Sequence, residues 1–217
     1  MAVLDELKAS VLATRIIASV APPMAEQLKL PSGHNSVGLI TSDCDDVTYV
    51  ALDEATKAAN VSVAYAASFY AGAAHASGPL SGEVIGVLSG PGPADVTAGI
   101  NRCVDVIERE AAFRAANEDG SLAFFAHLLS ATGSYLSEQA GIARGQSLAY
   151  LIAPPLEATF ALDAALKAAD VSMADYFPPP SETNFSGALL TGTQAACRAA
   201  CEAFQDAVLD VAARPIE

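Results

Sequence analysis

Apolar positions along this chain fall into short runs separated by longer stretches with helical spacing. Residues 10–20 are rich in β-branched side chains and stop at Pro22 and Pro23, which predicts a strand ended by prolines. Pro23 with Met24 and Leu28 predicts a short helix closed near Gly33. Residues 36–42 are apolar at their centre, as in a strand covered on both faces. Three carboxylates then crowd into Asp43, Asp45 and Asp46, which reads as a turn. Thr48, Tyr49 and Val50 read as strand-like and lead into a helix from Leu52. That helix is expected to hold Asp53 and Glu54 in its first turn and Lys57 later, with Asn60 closing it in the left-handed conformation. A strand at 61–65, a mobile loop of small residues at 70–79 and a strand at 83–88 follow. Val96, Ile100, Val104 and Ile107 then mark a helix after a glycine-proline turn at 90–93.

The second half repeats this plan. Residues 52–62 return at 162–172 with eight of eleven positions identical, including Asp53 as Asp163 and Lys57 as Lys167. Upstream, residues 16–40 match 128–152, Glu26 and Gln27 answering Glu138 and Gln139; downstream, 86–90 match 188–192. The offset shifts from 112 through 110 to 102, so loop lengths differ between the copies. The period is about half the chain, far above the roughly 20–50 residues of solenoid repeats, and so predicts two tandem domains of similar fold. The turn at 117–120 is the expected boundary, giving a first domain at 1–115 and a second at 116–217. In the second copy the counterpart of the small-residue loop is a stiff, proline-rich segment at 177–183. Helices packed on a small, largely antiparallel sheet, twice over, define an α/β (α+β) class built from ferredoxin-like units. A doubly wound nucleotide fold is disfavoured, because the connections between middle strands are too short for helical crossovers.

Composition narrows the function classes. Of 217 residues, 52% are hydrophobic and 17% charged, enough apolar surface for a sizeable core. The net charge of −14, with eleven Lys and Arg, argues against nucleic acid. No apolar run approaches the roughly 18–20 residues that span a bilayer, and the start of the chain lacks a secretory pattern, so a cytosolic protein is expected. Cys44, Cys103, Cys197 and Cys201 show neither metal nor disulfide spacing and are expected to be reduced structural thiols. The glycine-proline turn is a weak phosphate cradle, since Asp95 stands where the dinucleotide pattern needs glycine; a tight structural turn is the expectation. His34, His75 and His127 accompany no catalytic or metal motif, which disfavours an enzyme. The carboxylates at 43–46 are kept only in part by the second copy, which has Glu157. They are read either as a site used once per chain or as a solvated, helix-capping turn.

Several stretches carry a family resemblance: residues 45–49, 53–57, 70–75, 153–159, 178–184 and 194–197. On these, over its full length, the chain resembles the ethanolamine-utilization bacterial microcompartment shell proteins of the tandem-domain type. The resemblance implies two circularly permuted microcompartment-shell domains per chain and a homotrimer that imitates a hexamer. Such trimers would tile with other shell proteins around encapsulated enzymes, in the cytoplasm. It further implies a central pore gated by the loops 70–79 and 174–183, with Tyr70, Gly72, His75, Gly78, Tyr176, Phe177, Pro179 and Glu182 as gate residues. Ethanolamine is placed in a small pore near Asp45, Glu83, Phe113 and Thr183. No cofactor or metal is required on this reading; ethanolamine or cobalamin would be bound species. Two alternatives stand beside it: a tandem shell protein of another compartment, and a small-ligand regulatory protein built from duplicated ferredoxin-like domains.

Overall fold

The structure, a computed structural model, describes residues 2–68, 84–179 and 185–216. The chain divides into two compact units, one of Lys8–Ala111 with Gly133–Leu136, the other of Met1–Leu7, Ala112–Thr132 and Ser137–Glu217.

The first of these units is built on a four-stranded antiparallel sheet. Its strands are β2 (Val11–Ile17), β3 (Ser36–Ser42), β4 (Ser62–Ser68) and β5 (Val84–Gly90), in the order β2-β3-β5-β4; a two-residue strand β1 (Glu6–Leu7) precedes them in the chain. Between them run α1 (Pro22–Gln27), α2 (Asp45–Ala58) and α3 (Pro93–Asp105), the last running on into a π-helical turn, Val106–Glu110. The strand alternation divides the sheet into two faces. Gly38 and Gly86 face the long helices, and a Cβ on either would meet Ile100 of α3 at 2.5 Å or Leu52 of α2 at 2.9 Å. Glycine there lets the helices lie close to the sheet. The other face is lined by Val37 and Val87 with Val20, and the residues around α1, Ala25, Leu28 and Leu30, pack over it.

The second unit has a six-stranded antiparallel sheet in the order β1-β6-β7-β8-β10-β9. Its further strands are β6 (Phe113–Ala115), β7 (Ala123–Leu129), β8 (Ser147–Ala153), β9 (Val171–Phe177) and β10 (Ser186–Gly192). Helices α5 (Pro155–Ala168) and α6 (Gln194–Ala213) close its core, in which Phe124, Leu151, Leu190 and Phe204 are surrounded by alanines. Small side chains allow α5 and α6 to pack closely against each other and the sheet. Phe125, Tyr150 and Phe177 form a chain of ring contacts. The short helix α4 (Ser134–Gln139) opens within the first unit's four-residue segment.

The predicted strands and long helices are present in both repeats, with three corrections. Thr48, Tyr49 and Val50 belong to α2, which begins at Asp45, so Asp53 and Glu54 lie in mid-helix rather than in its first turn. Their β-branched and aromatic character is overridden by burial of Val47, Val50, Ala51 and Ala55 at helical spacing. Asn60 does not close the helix left-handed: among described non-glycine residues only Leu4 and Lys29 have positive φ, and Ala59 caps α2 in an extended conformation. Residues 174–177, assigned by resemblance to a gate loop, lie in β9, paired with β10.

Candidate functional site

The acidic stretch resolves into three carboxylates with separate roles. Asp43 is exposed and its Oδ1 accepts the Ser10 N–H at 2.7 Å, tying the end of β3 to the start of β2. Asp45 and Asp46 are buried in the first turn of α2, where the unpaired N–H groups of a helix start favour negative charge. Hydroxyls brace that turn: Ser42 Oγ lies 2.6 Å from Thr48 Oγ1 and accepts the Cys44 N–H at 3.2 Å. Thr48 also donates to the Cys44 carbonyl at 2.8 Å.

Asp45 ends a short relay. Its Oδ1 accepts the Asp46 N–H at 2.9 Å and its Oδ2 accepts the Ser68 hydroxyl at 2.7 Å. Tyr49 Oη lies 2.5 Å from that same Ser68 Oγ. Since Ser68 has a single proton and gives it to the carboxylate, Tyr49 donates to Ser68. Asp45 is therefore a positioned acceptor and not a loose turn carboxylate. Each of its oxygens has a further lone pair, which suits an ammonium or hydroxyl donor. Ser68 lies across from Val84, the first described residue after the segment 69–83. Nearby Cys44 is pushed well above the ordinary thiol range by burial, with Asp46 adding to the effect, so it stays a thiol at neutral pH.

Phe113, on β6, belongs to the other unit. Its ring stacks on Phe125 at 5.2 Å and meets Phe185 edge-on at 5.8 Å. Glu83 and Thr183 lie outside the described residues, as do Tyr70, Gly72, His75, Gly78 and Glu182. Tyr176 is an exposed residue of β9, and Phe177 is half-buried with its ring 6.1 Å from that of Tyr150. Pro179 is exposed just beyond the strand. The turn at 90–93 is structural, as expected: Asp95 Oδ2 accepts the Gly92 N–H at 3.2 Å and closes the start of α3. His34 Nδ1 lies 2.9 Å from Ser89 Oγ, and His127 stacks on Phe125. Among the described residues no cluster of His, Cys, Asp or Glu is arranged to hold a metal, and no helix is long and apolar enough to cross a membrane.

Sequence reasoning assigned Asp53 only to a helix's first turn, as a partner of the helix dipole; it is fully buried. Its Oδ2 accepts the Gly133 N–H at 2.6 Å and its Oδ1 the Leu136 N–H at 2.9 Å, while Thr56 Oγ1 accepts the Ser134 N–H at 2.9 Å. Burial raises the Asp53 pKa above its ordinary value, and the two N–H groups pull it partly back. The available signal was an Asp and a Thr one turn apart on an otherwise apolar helix face.

The profile of the BMC domain matches residues 36–117. The microcompartment shell protein EutL of Clostridium perfringens is 59% identical over 212 residues, covering 98% of each chain. The chain belongs to the EutL family of bacterial microcompartment shell proteins. The crystal structure of the ethanolamine utilization protein EutL from Leptotrichia buccalis superposes with a TM-score of 0.96 at 61% identity, covering all of both chains. A trimeric microcompartment shell protein, PduB, shares the fold, with a TM-score of 0.74 at 17% identity over 94% of this chain and 89% of its own. Members of the EutL family are structural shell proteins rather than enzymes, and the two-sheet fold with its duplicated plan is the tandem-domain form of that architecture.

Proposed function

We propose that this chain is a trimeric tile of an ethanolamine-utilization microcompartment shell, each repeat forming one shell domain. The observation that carries the reading is the match to EutL along the whole chain, in a sequence that writes one α/β plan twice. Three chains with two similar domains each supply six similar positions around an axis, and head-to-tail contacts close such a ring. A shell of such tiles would keep a volatile aldehyde intermediate inside while substrate and cofactors cross. Concentrated protein is expected to grow into hexagonally spaced sheets visible by electron microscopy. A protein that never tiles, and forms only discrete small oligomers that bind a ligand, would favour the sensor alternative.

The finer part of the proposal is that Asp45, with Glu83, Phe113 and Thr183, holds ethanolamine in a small pore of the subunit. At neutral pH this ligand is an ammonium with a hydroxyl. A buried carboxylate with open acceptor sites suits the first, and an aromatic face adds attraction for the cation. The support is Asp45 itself, fixed by Ser68 and Asp46 at the start of α2. Calorimetric titration with ethanolamine should show binding that Asp45→Ala removes; equal binding by the variant would refute the assignment. Cobalamin gains no such support: of the eight residues assigned to the central gate only Tyr176, Phe177 and Pro179 are described, and none carries a metal-ligating nitrogen.

A further inference from the structure

Within the first unit, α2 holds the segment Gly133–Leu136 through Asp53 and Thr56. That contact has two sides, and each side has a counterpart elsewhere in the repeat. The counterpart of α2 is α5, 110 residues on, where Asp53 becomes Asp163, Thr56 becomes Leu166, Val50 becomes Phe160 and Asp46 becomes Leu156. The counterpart of 133–136 lies 112 residues earlier, at residues 21–24, the start of α1.

Val50, one turn before Asp53 on α2, is 1% exposed and Leu136 0%; their counterparts Phe160 and Met24 are 51% and 52% exposed. Leu156, at 66%, extends the apolar stripe of α5 through Phe160 towards Asp163, at spacings of four and three residues. Large exposed apolar side chains in one stripe mark an interaction surface. Both halves of a second contact are thus present on one chain, and each is uncovered.

The residue changes on the two sides match. Ser134, whose N–H meets Thr56, becomes Pro22, which has no N–H; Thr56, the acceptor, becomes Leu166, which has none to offer. Donor and acceptor disappear together and leave two apolar groups. The size change is also shared. A Cβ at Gly133 would lie 2.3 Å from Thr56 Oγ1, so the existing contact requires glycine. Ala21 carries that Cβ, and with the bulkier Leu166 opposite, a contact between these counterparts would stand wider and be driven by apolar burial.

We propose that α5 of one copy receives residues 21–24 of the next, with Leu156, Phe160 and Leu166 packed on Pro22 and Met24. One donor face and one receptor face per chain make this contact heterologous, so repetition gives a ring where the rotation closes and an open filament where it does not, and the trimer reading selects the ring. The inference rests on the trimer reading above and names the surfaces that meet.

Pro22→Cys and Leu166→Cys test it, as the counterparts of the residues joined in the Thr56–Ser134 contact. Under mild oxidation the double variant should give covalent species that stop at three chains on a non-reducing gel, above the background of the unmodified protein. Either single variant alone should stay at background, and a mixture of the two should give a covalent pair. Both positions lie outside the buried core, and a far-UV spectrum and melting curve matching the unmodified protein show that the fold is kept. A double variant that remains trimeric by native mass but does not cross-link would overturn this docking while leaving the trimer standing. Cross-linking of Leu166→Cys to itself would also overturn it, in favour of a two-fold contact. An unmodified protein that is monomeric at every concentration would remove both readings.

Discussion

α2 and α5 share most of their central residues but have opposite surroundings. In α2 the repeated aspartate, Asp53, is buried and receives two backbone N–H groups; in α5 the same position, Asp163, is a surface carboxylate paired with Lys167 four residues on. The helix start differs in the same sense, with Asp45 and Asp46 buried in α2 and Leu156 exposed in α5. A duplicated segment therefore transmits a conformation, while the residues that differ record which copy has found its partner within its own unit.

The largest expected effect comes from Phe160→Asp. A charge placed where an apolar contact is to form, with no partner for it, costs several kcal/mol. The variant should sediment as a single chain at micromolar concentration, with an unchanged far-UV spectrum and a melting temperature lowered by the lost assembly. Next, Asp53→Ala leaves two buried N–H groups without acceptors and should destabilise the first unit by roughly 3 kcal/mol in denaturant titration. Asp163→Ala, made in the Phe160→Asp background, removes only a surface i,i+4 pair and should cost about 0.5 kcal/mol or less. Equal losses at the two sites would erase the contrast between the copies. Gly133→Ala forces a methyl against Thr56 Oγ1 and the Asp53 carbonyl, and should cost about 2 kcal/mol, whereas Ala21→Gly should be near neutral.

The smallest effect is on pH dependence. Burial holds the Asp53 pKa above its ordinary 3.8, so across the interval from there up to the folded value the folded state keeps a proton that the unfolded chain has released. Stability from this group is full below 3.8, falls as pH rises through that interval, and is flat above it. Asp53→Asn should remove this slope, which acid denaturation curves of the two proteins would reveal.

Much of the fold was legible, because strands such as Ser36–Ser42 are continuous apolar runs and the long helices carry their own period. The misreading of Thr48, Tyr49 and Val50 has a local cause. Three residues with strand propensity cannot report that Ser42, Thr48 and the Cys44 carbonyl knit a helix start around them. β1 and β6 were not anticipated, since two- and three-residue strands are too short to show alternation and are defined by their pairing alone. Of the candidate site, the Asp45 carboxylate was legible as charge. Its partners were not, because Ser68 lies a strand away and nothing in its neighbourhood announces a hydroxyl aimed at α2.

In the proposed assembly this chain is one third of a closed ring of two-domain tiles. The native mass of the unmodified protein, measured across a concentration series, decides whether that ring forms. A single species of three chains, persisting on dilution, is the predicted result. A monomer throughout, or a closed dimer, would contradict it.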